Sequence, residues 1–119
     1  HLGLSELDVL GSMHERKAAM EAHADAFIAL PGGFGTLEEF CEILTWAQLG
    51  RHAKPCGVLD IGGYYAPLLH LFDHMAARGF MPRRERGRIL VAADPAELLA
   101  QFASFAAPPV ERWLDRSRT

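Results

Sequence analysis

Ala26-Phe27-Ile28-Ala29-Leu30-Pro31-Gly32-Gly33-Phe34-Gly35-Thr36-Leu37-Glu38-Glu39 is the stretch on which the fold turns, because an apolar run gives way there to an amphipathic one. The run Ala26 to Leu30 is short, apolar and bounded by turn residues, as expected of a parallel strand buried on both faces. Pro31 ends it. Gly32, Gly33 and Gly35 then admit backbone conformations closed to residues with a Cβ, and they leave room for a ligand against the main chain. Thr36 reads as an N-cap with Glu39 at capping-box spacing, which predicts a helix from about Leu37. Backbone N–H groups at such a helix start, aligned with the positive end of its dipole, suit a phosphate. Glu39 carries two readings. It is either a structural cap or a catalytic carboxylate facing a sugar carbon attached to that phosphate.

Working toward the N-terminus, Leu4 to Leu10 reads as a strand ending at Gly11, and a helix follows from Ser12 with Glu15 at capping spacing. Arg16 and Lys17 stand early in that helix, where cations oppose the dipole. Either a bound anion or local pairing with Glu15, Glu21 or Asp25 compensates them. His14 beside them is a packing residue or a proton shuttle.

Toward the C-terminus, the central helix continues with Phe40, Cys41, Leu44, Ala47 and Gln48 as the stripe on the sheet. Glu39, Ile43, Trp46 and Gly50 mark a second face, covered by another chain or by a local loop. Gly57 to Ile61 is the next strand, Gly62-Gly63 its turn, and a helix is predicted from about Tyr65 and Ala66 to Gly79 with Pro67 in its first turn. His70 and His74 lie four apart, but no third ligand stands at a suggestive spacing, so both are expected at the surface and no metal is implied. Met81 to Arg88 holds four arginines and one glutamate and reads as a solvated loop, or else as an extra phosphate or dimer contact. Ile89 to Ala92 is a last strand. Asp94-Pro95 with Glu97 then caps a helix carrying Leu98, Leu99, Phe102 and Phe105, and Pro108-Pro109 breaks it. Residues 1–107 are thus expected to form one nucleotide-binding domain and 108–119 a tail.

Strand and helix alternate with crossover-length connections, so the fold class is α/β, a Rossmann-like parallel sheet with helices on both faces. In such sheets ligands bind at the carboxyl ends of the strands, where the Gly-rich turn and Leu10-Gly11-Ser12 both fall. Half of the 119 residues are hydrophobic and the net charge is −3, which gives no basic field for nucleic acid. Cys41 and Cys56 form no disulfide framework or zinc spacing and read as reduced core residues. Neither a signal peptide nor a membrane span is read in the sequence, which implies the cytoplasm.

Pro31 to Glu39 matches the signature Pro-Gly-Gly-x-Gly-Thr-x-x-Glu, and Ser12-Met13-His14-Glu15-Arg16-Lys17-Ala18-Ala19-Met20 is close to Met-His-x-Arg-Lys-Ala-x-Met. With Thr45-Trp46-Ala47-Gln48-Leu49-Gly50 and the segment from Lys54-Pro55 through Gly63-Tyr64-Tyr65, the chain from about residue 4 to about 82 resembles the Lonely guy family. Those proteins are cytokinin-activating nucleoside-monophosphate phosphoribohydrolases. The resemblance implies a further βαβ stretch with another Gly-rich turn ahead of His1, and assembly as a homodimer. It implies cleavage of the N-glycosidic bond of cytokinin ribotides or AMP, releasing free base and ribose 5-phosphate, with no cofactor. Arg16 and Glu39 would be catalytic; Arg16, Lys17, Gly32, Gly33, Phe34, Gly35, Thr36, Leu37, Glu38 and Thr45 would contact substrate. One rival reading is a nucleotide-binding module without chemistry. Another is an amino-acid decarboxylase, which needs pyridoxal phosphate on Lys17 or Lys54, neither in a supporting motif.

Overall fold

Alternate residues of each strand face opposite sides of the sheet, and that alternation organises the molecule. The structure, a computed structural model, describes residues 24–110. In chain order it holds β1 (Phe27–Ala29), α1 (Phe34–Gln48), β2 (Cys56–Leu59), a 3-10 turn at Ile61–Gly63, α2 (Ala66–Ala77), α3 (Arg83–Gly87), β3 (Ile89–Ala92) and α4 (Pro95–Ala103). The strands pair in parallel in the order β1-β2-β3, with Phe27 opposite Cys56 and Cys56 opposite Ile89.

On one face Phe27, Ala29, Cys56, Val58, Ile89 and Val91 meet Phe40, Ile43 and Trp46 of α1 and Leu69 and Phe72 of α2. The opposite face sends Leu59, Leu90 and Ala92 against Leu98 and Phe102 of α4. This is the expected α/β arrangement with helices on both faces, in a Rossmann-like parallel sheet. The predicted strand Leu4 to Leu10, the helix from Ser12 and the end of the tail lie outside the described residues. Val110, at the start of the tail, packs onto Gly50 after α1.

Four expectations are corrected. The central helix begins three residues early, at Phe34, with Gly33 as its N-cap and no side-chain cap bond. Once Gly33 takes a cap geometry the chain winds at the next residue, and Leu37 N donates to Gly33 O at 3.1 Å. Thr36 and Glu39 therefore form no capping box. Second, β1 is not buried on both faces: Ile28 is 44% exposed, because β1 is the outer strand among the described residues and α4 covers only β2 and β3.

Third, the face of α1 expected under another chain or a local loop is covered at Ile43 and Trp46 by the chain's own core, the cluster that also contains Tyr65, Leu69 and Phe72. Fourth, the arginine-rich run is not a solvated loop. It forms α3, in which buried Glu85 accepts from Arg88 Nε at 2.8 Å, while Arg86 reaches Asp73 of α2 at 2.6 Å. Placing β3 directly after Arg88 draws that side chain beneath the surface.

Candidate functional site

The carboxyl ends of the three strands are tied to one another by hydrogen bonds. At the end of β2, Asp60 N donates to Ala92 O of β3 at 2.8 Å. Tyr65 N donates to Asp60 Oδ1 at 2.8 Å, and Tyr65 Oη donates to Leu30 O beyond β1. Tyr64 Oη donates to Gly32 O, and the two tyrosine rings meet edge to face at 5.1 Å. Gly62 and Gly63 have φ of 61° and 74°, left-handed values that present both tyrosines toward the Gly-rich turn. Burial and the neighbouring Tyr64 push the Tyr65 phenol up from its ordinary pKa, so it keeps its proton for donation.

Within the turn, the glycines do different things. A Cβ on Gly32 would stand 2.3 Å from Thr36 Oγ1, so that position must be bare for the turn to close on α1. A Cβ on Gly33 or Gly35 would meet nothing within 4 Å, which leaves open space against the main chain. The N–H groups of Gly33, Phe34, Gly35 and Thr36 have no acceptor inside the helix, by the geometry of a helix start. The first turn of α1 also lacks an acidic residue. Nothing in that turn therefore neutralises its partial positive charge, which favours an anion there.

Glu39 is half-buried one turn further on. It lines, with Thr36, Phe40 and Ile43, a groove of about 280 Å³ whose opposite wall is β1 and Leu30. Since it caps nothing, the structural reading of this carboxylate is gone. A second groove, about 420 Å³, lies on the other side of the turn between Phe34 and Leu37 and the residues Tyr64, Pro67 and Leu68. The structure thus brings Gly32, Gly33, Gly35, Thr36, Leu37 and Glu39 to one place. Phe34 belongs there through its main chain, its ring being 93% exposed, and Glu38 is exposed beside it. Thr45 is set apart, about 13 Å along the helix axis from Thr36, with its hydroxyl donating to Cys41 O at 2.8 Å. Arg16 and Lys17, with His14, lie outside the described residues.

The residue pattern alone does not single out Asp60, Tyr64 and Tyr65. Their signals are a Gly-Gly turn followed by two aromatic residues and the place of Gly63-Tyr64-Tyr65 in the family resemblance, which assigns the tyrosines no role. His52 escapes it too: this side chain is buried, its Nδ1 accepts from Lys54 N at 3.1 Å, and its Nε2 lies 3.0 Å from Ile43 O, which assigns the proton to Nε2. Both thiols are held toward their neutral form. Burial raises the pKa of Cys41, and it pushes Cys56 up to about 12 against the opposing charge of Arg88. His70 and His74 are exposed, and among the described residues no group of His, Cys, Asp and Glu is arranged to hold a metal ion. The described residues include no helix long and apolar enough to cross a membrane.

A family model described as "Possible lysine decarboxylase" matches residues 1–102. The described part of the chain does not fit the pyridoxal phosphate chemistry of that description. Its single lysine, Lys54, precedes β2 and so lies at the amino end of the sheet, opposite the Gly-rich turn. A probable cytokinin riboside 5′-monophosphate phosphoribohydrolase of Oryza sativa subsp. japonica is 51% identical over 104 residues, covering 87% of this chain and 45% of its own. The cytokinin riboside 5′-monophosphate phosphoribohydrolase of Rhodococcoides fascians is 50% identical over 104 residues, covering 87% and 52%. One from Arabidopsis thaliana is 47% identical over 103 residues, covering 87% and 48%. The chain spans about half the length of these curated relatives. With the family match across most of its residues and the signature turn open at the head of α1, the chain belongs to the family described as possible lysine decarboxylase, in which the Lonely guy proteins fall.

Proposed function

We propose that the protein to which this chain belongs hydrolyses the N-glycosidic bond of nucleoside 5′-monophosphates, cytokinin ribotides or AMP, to free base and ribose 5-phosphate. The observation that carries this reading is the half-buried carboxylate of Glu39, free of any capping duty, one turn from four helix-start amides with no acceptor inside the helix and with open space beside Gly33 and Gly35. Relatives named as cytokinin riboside 5′-monophosphate phosphoribohydrolases supply the substrate class.

In this reading the main-chain N–H groups of Gly33 to Thr36 receive the 5′-phosphate, helped by the Thr36 hydroxyl and by Arg16 and Lys17. Leu37 and Glu38 border the sugar, and Thr45 contacts the nucleotide from further along the helix. As the bond to the base breaks, positive charge develops on the ribose, and Glu39 stabilises that cation or attacks the anomeric carbon; a water then adds its hydroxyl to that carbon, releasing any ester on Glu39, and its proton balances the one taken up by the departing base. Arg16 supports proton traffic to the departing base, its fork of donors being suited to phosphate and ribose oxygens. A homodimer, drawn from the family resemblance, is part of the same proposal, as is a cytoplasmic location.

The test is direct. The full-length protein is incubated with AMP and with its N6-isopentenyl analogue, and free base and ribose 5-phosphate are measured. Release from either supports the hydrolase. Binding of both without release leaves a nucleotide-binding module and sinks the proposal.

A further inference from the structure

The geometry points to Tyr64 as a positioning residue for phosphate, acting through the peptide plane between Gly32 and Gly33; this rests on the phosphate cradle of the proposed function and deepens it. A trans peptide unit is planar, with its C=O and N–H pointing in opposite directions. The described chain contains no cis bond. Tyr64 Oη holds Gly32 O, so the N–H of Gly33 is presented on the side away from the tyrosine. That amide is the first of the four at the head of α1 without a helical acceptor. The hydroxyl therefore sets the direction of a donor it never touches.

Burial does not account for this contact. Tyr64 is 52% exposed, and its hydroxyl reaches a carbonyl 32 residues away in sequence. Its neighbour Tyr65 is the buried member of the pair and fixes the preceding carbonyl, Leu30 O, while Asp60 Oδ1 holds the Tyr65 amide. Leu30 O and Gly32 O flank Pro31, which has no N–H of its own. Two carbonyls of this turn are thus held from the β2 side, so its amides arrive already oriented for an anion. Such an arrangement lowers the ordering that binding would otherwise demand.

The experiment uses the full-length protein and its Tyr64→Phe and Tyr65→Phe variants, with ribose 5-phosphate as the probe. For Tyr64→Phe the expected result is a thermal midpoint within about 2 °C of the parent, since the lost bond is exposed, and a Kd for ribose 5-phosphate raised about tenfold. Amide hydrogen exchange at residues 33–36 should quicken while that of β2 and β3 holds. With AMP, KM should rise by the same factor and kcat stay within about twofold, the pattern of an interaction made equally in ground and transition states. A folded Tyr64→Phe protein with unchanged affinity and exchange overturns the assignment, as does a parent protein with no affinity for ribose 5-phosphate. Tyr65→Phe reports on the second carbonyl; should that buried change unfold the chain, Tyr64→Phe alone decides. Because affinity is read without turnover, a parent that binds the sugar phosphate yet releases no base defeats the hydrolase reading and leaves the positioning role standing.

Discussion

The two ends of the sheet are built on opposite plans. At the amino end, polar side chains are held by the fold: buried His52 between Ile43 O and Lys54 N, buried Glu85 against buried Arg88, and exposed Arg51 lying 4.5 Å over the Trp46 ring. At the carboxyl end, tyrosine hydroxyls occupy backbone carbonyls, while the amides at the head of α1 have no acceptor within the helix and open space lies beside Gly33 and Gly35. Donors satisfied by the fold can only stabilise it. Donors with no partner among the described residues remain available to a ligand, which is why the proposed chemistry is placed at the Gly-rich end and stability at the other.

The sharpest way to break this comparison is at Glu39. In the full-length protein Glu39→Gln keeps size and hydrogen bonding but removes the charge, and loss of electrostatic stabilisation should lower kcat by about 10³-fold. Unfolding in urea should be unchanged, because the carboxylate caps nothing. A variant that keeps its base release would remove Glu39 from the chemistry.

At the amino end the expectation is inverted. Glu85→Ala leaves the Arg88 guanidinium buried, where one of its nitrogens, Nη1, already has no hydrogen-bond partner. Breaking a buried pair from one side should cost about 3–5 kcal/mol in chemical denaturation. The affinity of the folded fraction for AMP should not move. If it falls, the two ends are coupled and the division fails.

How far the sequence carries this division can be traced residue by residue. Ile89 to Ala92 and the strand at Cys56 are legible because short apolar runs between turn residues leave few alternatives. The start of α1 is not, since three glycines let the chain wind anywhere between Gly33 and Leu37, and only the cap geometry at Gly33 decides. Trp46 misleads because a helical stripe shows that two faces are covered but not by what; the cover is the chain's own cluster with Tyr65, Leu69 and Phe72. The burial of Arg88 is invisible for a similar reason. Charge predicts exposure on average, and here the start of β3 overrides it. Of the proposed site, the signature turn and Glu39 are readable through resemblance, whereas the tyrosine contacts depend on carbonyls that no side-chain pattern reveals.

Alkaline pH offers a smaller test. Cys56 has its pKa raised by burial from the ordinary 9.0 to about 12 in the folded chain. Its neutral form is thus favoured by folding, so that contribution is complete below pH 9 and fades as pH rises toward 12. Each pH unit in that window removes about 1.4 kcal/mol per proton. Tyr65 is shifted in the same direction and adds to the decline from about pH 10. Denaturation series at about pH 8 and about pH 10 should show the parent losing stability and Cys56→Ala losing less. Equal slopes would mean that the amino end is wetter than its packing implies.

The smallest effect separates stacking from charge at the amino end. Arg51 is exposed but lies over a Trp46 ring that is only 6% exposed, so the contact combines ring electrostatics with cover for apolar surface. Arg51→Ala should cost about 0.5–1 kcal/mol, and Arg51→Lys should recover only part, because an ammonium keeps the charge without the flat guanidinium. A stack differs from a surface ion pair in its response to salt. The difference between parent and Arg51→Ala should therefore persist from low to high ionic strength, whereas a screened charge effect would shrink toward zero. Persistence places Arg51 with His52 and Arg88 as a structural group. Collapse in salt would return it to the solvent and leave the amino end closed by the His52 and Glu85 contacts alone.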